Sequence, residues 1–134
     1  MKKKLSWLFQ IIIAAIYLQT LFYKFSGAEE SIYIFSTLGI EPVGRYFAGI
    51  SELVVAILLF IPSLAGLGAL MSLGVIGGAI LSHLFVLGIE VQGDGGWLFI
   101  LACIIFVGSL FVCYFRLEET RALKNKYAPF LPFP

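Results

Sequence analysis

Long apolar runs alternate with short polar blocks along this chain. The apolar runs cover Leu5–Tyr23, Gly44–Ile61, Leu64–Leu87 and Trp97–Phe115, and each approaches the ~20 residues that a helix needs to cross bilayer hydrocarbon. Between and around them lie Lys2–Lys4, residues 24–43, the turn Ile61-Pro62-Ser63, residues 88–96 and a tail from 116 to 134. The pattern predicts an all-α integral membrane four-helix bundle that forms a single membrane domain over 1–134. Four spans leave no length for a separate soluble domain.

Composition agrees: 60% of residues are hydrophobic and 13% charged, and the mean hydropathy is +1.01, far from the soluble average. A net charge of +1 gives nucleic acid nothing to bind. The charges matter by position. Lys2, Lys3 and Lys4 precede the first run, Arg116, Arg121, Lys124 and Lys126 follow the last, and residues 88–96 carry only acids. By the positive-inside rule both termini are expected in the cytoplasm. A lysine-led apolar run is also the form of a signal peptide, with Ser26-Gly27-Ala28 as a small-residue cleavage site. The run exceeds the usual ~7–15 residues, so it reads as a retained span.

The connecting blocks have readings of their own. Ser26 is placed to cap a short helix with Glu29 and Glu30 in its first turn, ended by Gly39 and Pro42; an apolar stripe at Ile32, Tyr33, Phe35 and Ile40 makes it an interfacial helix across the bundle mouth. Ser63 is placed to cap the third span. Gly66, Leu70, Gly74, Gly78 and Ser82 form an i+4 ridge expected to pack inside the bundle. Its Gly74-x-x-x-Gly78 step would equally serve a homo-oligomer. Residues 88–96 lack EF-hand ligand spacing and read as a turn. Ala128–Pro134, with three prolines, is not regular helix.

Two ionisable residues stand inside otherwise apolar runs, Glu52 and the sole histidine, His83. Such groups turn toward a bundle interior and mark candidate sites. At 1.5 Å per residue, Glu52 falls ~12 Å and His83 ~7 Å from the outer ends of their helices. Gln19, Tyr23, Lys24, Arg45, Tyr46 and Cys103 fall at similar depth, and the inner half is expected to be apolar. Arg45, Gly49 and Glu52 share one helix face at i, i+4, i+7. The candidate site is therefore Glu52 and His83 as proton-exchanging groups, with Gln19, Tyr23, Lys24, Arg45 and Tyr46 as ligand-binding residues. A carboxylate and an imidazole beside an apolar ligand suit proton exchange with a quinone; they equally suit proton relay in a carrier, or a structural hydrogen bond to each other. Cys103 and Cys113 lie ten positions apart on one helix, ~15 Å, too far for a disulfide. No Cys/His cluster has metal-ligand spacing, so no metal is expected.

The segments YKFSGAEESIYIFSTLG and RYFAGISELVVAILLFIPSLAGLGALMSLGVIGGAILSHL, followed by an acidic loop and a last span, resemble the DoxX-like family of small bacterial membrane proteins. The resemblance covers about Leu18 to Tyr114 and rests on Lys24, Gly27, Glu52, Pro62, the Gly/Ala-rich third span and His83. It implies a four-helix bundle in the bacterial inner membrane. Namesake relatives are associated with a thiosulfate:quinone oxidoreductase, and others resemble accessory membrane subunits of redox or stress-response systems. No residues here match a thiosulfate site, a haem ligand pair or a nucleotide motif. The expectation is an accessory subunit that binds quinone or another small hydrophobic ligand, carries no covalently bound cofactor and depends on a redox partner subunit. A small carrier or channel, and a membrane scaffold without catalytic activity, are the alternatives.

Overall fold

The computed structural model describes residues 2–132, which are helical with no strand among them. Met1, and Phe133 and Pro134 of the proline-rich tail, lie outside the described residues. The helices are α1 (Lys2–Ser26), α2 (Glu29–Thr37), α3 (Val43–Leu59), α4 (Ala65–Ser82), α5 (Trp97–Phe115) and α6 (Leu117–Tyr127), with a π-helical turn, His83–Leu87, prolonging α4. Three helices, Lys2–Ser26, Ala65–Leu87 and Trp97–Phe115, are long and apolar enough to cross a membrane, which places the chain in lipid. The 17-residue α3 joins them in a closed ring: α1 packs on α3 and α5, and α4 packs on α3 and α5. Ile13, Ala14, Tyr17, Val55, Leu59, Ala69, Ile105 and Val112 fill its centre. The helix α2 lies at one end of the ring, against α1, α3 and the π turn, and α6 folds under the other, against α4 and α5.

Small residues set the close approaches. A Cβ on Gly68 would sit 2.9 Å from the Leu58 side chain, so this glycine lets α3 and α4 close up beside the Pro62 turn. A Cβ on Gly66 would collide with Thr120 and come within 3.3 Å of the Arg116 carbonyl, which is how α6 reaches α4. At the other end the Phe25 ring occupies the space above Gly49, where a Cβ would be 2.8 Å away. That contact draws the end of α1 onto α3.

Several expectations fail on local geometry. Ser26 does not cap α2: α1 runs through it, its hydroxyl donates to the Tyr23 carbonyl (3.4 Å), and Gly27 at φ +70° makes the break instead. Ser63 does not cap α4, whose first turn follows Leu64 with no side-chain cap. The glycine ridge does not pack inside the ring. Leu70, Gly74 and Gly78 are exposed, and a Cβ on either glycine would meet nothing within 4 Å, because Ala65, Ala69, Ser72 and Ile76 supply the inward face of α4.

Nor is the α6 end wholly apolar. Arg116, only 2% exposed, directs Nε to Ser6 Oγ (3.1 Å) and Gln10 Oε1 (3.0 Å), and Nη1 to Glu119 (3.3 Å). Ser6 donates to Gln10 Oε1 (2.6 Å), and Gln10 Nε2 donates to the Leu59 carbonyl (2.5 Å), at the C-terminus of α3 where no helical amide can reach it. Three helices are thus joined through one glutamine. Gln10→Leu takes one acceptor from the buried guanidinium, which keeps Ser6 and Glu119, and leaves that carbonyl unpaired, for a loss of about 3 kcal/mol, on the order of two buried polar contacts. Arg116→Met leaves Ser6 and Gln10 bonded to each other and removes a guanidinium whose Nη2 has no partner among the described residues, so it costs less, about 1–2 kcal/mol. Unfolding in mixed detergent micelles reads the order directly; an Arg116→Met loss exceeding that of Gln10→Leu would refute this arrangement.

Candidate functional site

The inward face of α1 presents Tyr17, Thr20 and Lys24 at i, i+3, i+7, one stripe of a 3.6-residue helix. Glu52 meets that stripe from α3. Lys24 Nζ lies 3.0 Å from Glu52 Oε1, and the Thr20 hydroxyl lies 3.3 Å from Glu52 Oε2 and 3.0 Å from the Tyr17 carbonyl. Thr20 has one proton to share between these acceptors, so its pull toward the carboxylate grows when Glu52 is charged. Glu52 is 7% exposed, and an unpaired charge at that depth would be strongly unfavourable. Its ammonium partner is what makes the carboxylate tenable there.

Below this pair a second polar layer crosses the ring. The Tyr17 hydroxyl is 2.7 Å from Ser72 Oγ, which accepts from the Ser109 hydroxyl at 2.8 Å. Tyr17, Ser72 and Ser109 come from α1, α4 and α5, and all three are buried.

His83 begins the π turn. That turn closes when the Gly88 amide donates to the His83 carbonyl (2.7 Å), and Gly88 leaves it at φ +82°, a conformation open to glycine at no steric cost. The ring of His83 turns back so that Nδ1 lies 2.9 Å from the Gly88 carbonyl. A carbonyl only accepts, so Nδ1 carries the proton, and in the neutral imidazole Nε2 holds the free lone pair. Phe99 meets the ring edge-on at 5.6 Å. Single π turns inside α-helices are frequent at functional sites.

Residues 88–96 are more than a turn. The Asp94 carboxylate accepts from the amides of Val91 (3.0 Å), Gly96 (2.8 Å) and Leu98 (3.1 Å), winding the loop around itself and satisfying an amide of the first turn of α5. Partial burial opposes the charge on Asp94, but these three amides, with His83 nearby, outweigh it and hold the carboxyl below the usual aspartate range.

Glu52, His83, Lys24, Tyr23, Tyr17 and Thr20 line one cavity of about 350 Å³. Its remaining walls are mainly apolar, from Ile76, Ala79, Leu101 and Ile105, and Ile34, Phe35 and Leu38 from α2 and its end form the roof. Glu52 and His83 make no hydrogen bond to each other: the acid is engaged by Lys24 and Thr20, the imidazole by Gly88. The remaining expected residues stand elsewhere. Gln19 is exposed, because turning Tyr17, Thr20 and Lys24 inward puts position 19 on the opposite side of α1. Arg45 is buried but outside the cavity wall; its Nε bonds the Glu41 carboxylate at 2.9 and 3.1 Å, its Nη1 donates to the Lys24 carbonyl, and its guanidinium lies 4.5 Å from the Tyr46 ring. It fixes the backbone of Lys24 rather than meeting a ligand. Tyr46 is exposed and stacks on Phe25 at 6.4 Å. Cys103 lines a separate apolar groove between α1 and α5, beside Phe9, Ile12 and Val107.

Thr20, Tyr17, Ser72, Ser109 and Asp94 are the residues that sequence reasoning missed. The i, i+3, i+7 spacing of Tyr17, Thr20 and Lys24 was a usable signal; the two serines, single hydroxyls in apolar runs, offered none.

Asp94→Ala removes the carboxylate that accepts from three amides and is expected to lower stability by ~1 kcal/mol at neutral pH, as for loss of a helix cap. Because the folded-state pKa is depressed, the charge-dependent part of this stabilisation is present above the ordinary aspartate range and disappears as pH falls through the folded value. Melting in detergent across pH 2–7, a range on the order of that over which aspartates titrate, should show the two proteins converging in acid; a constant gap would contradict it. Comparison with protein-family models, with curated proteins and with solved structures finds no match to this chain, so a functional reading rests on the site itself.

Proposed function

We propose that this chain is a DoxX-like, four-span protein of the bacterial inner membrane, with both termini cytoplasmic and α2 lying at the outer interface, and that it binds a quinone or similarly small hydrophobic ligand as the accessory subunit of a redox system. In this reading α3 is the fourth span: its 17 residues reach the lower end of the ~17–25 that suffice. The observation that carries the proposal is the cavity. Its ~350 Å³ lies at the small end of ligand pockets, about 300–1,000 Å³. Its apolar walls converge on an ammonium–carboxylate pair and an imidazole with a free ring nitrogen.

Those groups match what a quinone ring needs. Its two carbonyl oxygens accept hydrogen bonds, for which Lys24 and the Thr20 hydroxyl are the donors at hand. Reduction to the quinol takes two electrons and two protons. The electrons come from the cofactor of a redox partner subunit, and the protons pass through this chain, one from protonated His83 at Nε2 and one through Glu52. Quinol oxidation runs the same transfers in reverse, with Nε2 and the Glu52 carboxylate receiving protons. Lys24 holds the carboxylate in place, and Arg45 holds Lys24.

Mass spectrometry of lipid extracted from the gently purified protein is expected to find quinone in stoichiometric amount. Glu52→Gln removes the counter-ion that positions the Lys24 donor and His83→Ala removes the imidazole; each should lower quinone affinity roughly tenfold, on the order of one buried hydrogen bond to ligand. Absence of quinone from the native protein, together with unchanged quinone binding in both variants, would defeat the proposal.

A further inference from the structure

The helices α3 and α4 touch beside the Pro62 turn, and toward their other ends both line the cavity. Beside the Pro62 turn, a Cβ on Gly68 would press on Leu58 of α3. Ten residues further along α4, about 15 Å at helical rise, Gly78 is turned roughly 80° from Gly68, toward the outer side of the helix. It is exposed, a Cβ there would meet nothing within 4 Å, and it lines the cavity. Val75 and Ser82, one turn to either side, line it too, and Ala48 and Glu52 do so from α3. On this side the cavity wall is therefore built from α3 and α4 with Ala48 and Gly78, two of the smallest side chains available, and Gly78 is open on its outer side.

Across the cavity from this flank the ring is closed. Leu101, Ala102 and Ile105 of α5 are buried against their neighbours, and α2 covers the end. The ring of His83 is 5% exposed and its Nε2 has no hydrogen-bond partner among the described residues. An imidazole in a cavity wall with one ring nitrogen unpaired is a recognition group for something the cavity holds.

From these features we infer that the gap between α3 and α4 is a lateral portal in the lipid-facing surface, and that the cavity ligand is a lipid with a polar head at Glu52 and His83 and an extended apolar tail leaving between Ala48 and Gly78. The inference rests on the ligand-binding reading above and narrows it from a compact molecule to a tailed one. The cavity is large enough for a single ring and too small to enclose a long chain as well, so the tail of such a ligand stays in the bilayer. This arrangement needs no opening of α2, because head and tail enter from lipid along one path. The exposed Gly78 then has a use: it keeps the rim low where a chain must cross it, while the inward face of the same helix is closed by Ala69, Ser72 and Ile76.

The test compares two probes in nanodiscs by calorimetric titration, a benzoquinone bearing a ten-carbon chain and the same ring without it. Gly78→Leu and Ala48→Leu fill the portal from its two sides; Gly74→Leu adds equal bulk one turn away, outside the cavity lining. The expected result is a loss of about tenfold or more in affinity for the tailed probe in the two portal variants, with the untailed ring bound as in the native protein and Gly74→Leu silent for both. Circular dichroism and gel filtration confirm the fold of each variant. Equal effects on both probes, or an equal effect of Gly74→Leu, would overturn the portal while leaving quinone binding intact. Failure of the native protein to bind either probe would overturn the ligand-binding reading, and the portal with it.

Discussion

The contact between Lys24 and Glu52 governs the architecture of the α2 end. A carboxylate in this cavity is sustained only by a cation beside it, and Lys24 can be that cation only if the last turns of α1 lie close to α3. The chain secures this in three ways. Phe25 seats on the bare backbone of Gly49, Arg45 takes the Lys24 carbonyl in hydrogen bond, and Gly27 turns the chain immediately afterwards so that α2 folds over the result. Arg45 is itself neutralised by Glu41, so the arrangement is two ion pairs, Glu41–Arg45 and Lys24–Glu52, joined through the backbone carbonyl of Lys24. Attraction between formal charges in so dry a setting is strong, but the desolvation it must offset is of the same order. What the network gains is position more than stability: one carboxylate oxygen is held by ammonium and the other is left to a hydroxyl that can give or withdraw its hydrogen bond.

Polar groups are arranged in three layers separated by apolar side chains. Lys24, Glu52 and His83 form the first, Tyr17, Ser72 and Ser109 the second, and Ser6, Gln10 and Arg116 the third. Between the second and third lie Ile13, Leu59 and Val112, each within 1% of complete burial. Tyr17 and Gln10 are seven residues apart on α1, about 10 Å at helical rise, well beyond one hydrogen bond. No continuous polar path joins the cavity to the α6 end among the described residues. The lower two layers thus serve as cross-links between helices, and chemistry is confined to the first.

Much of this was legible in the sequence because hydropathy is a strong signal over twenty residues. The apolar runs mark the long helices within a few positions, and placing Glu52, Lys24 and His83 together required only residue counts and helical rise. Where reading failed, the information was rotational rather than longitudinal. Gln19 and Thr20 have the same depth, and only the direction of the α1 face separates them. The glycine ridge of α4 has the spacing of a packing surface, yet the alanines and Ser72 face inward because they allow equally close approach while filling space that glycine would leave empty. Arg116 was counted with the tail charges, since nothing local distinguishes an arginine that ends a helix in solvent from one folded beneath a bundle. Gln10, the one residue able to show the difference, lies more than a hundred positions away.

The acidic loop shows how such a misreading arises and what it conceals. Residues 88–96 combine four glycines and two acids in a form associated with mobility, and these glycines do adopt positive φ. Glycine is permissive in either state, however, and whether a glycine-rich loop is mobile depends on what its amides bond to. Here Asp94 collects three of them and Glu90 a fourth, from Gly95 at 3.3 Å. The loop is therefore wound tight, and it is bonded at its start to His83 through Gly88. The position of the imidazole is consequently set from outside the cavity, by a loop whose fold depends on the charge of one aspartate. The Gly88 carbonyl, at the start of that loop, makes the Nδ1 bond that fixes which ring nitrogen remains free for a ligand.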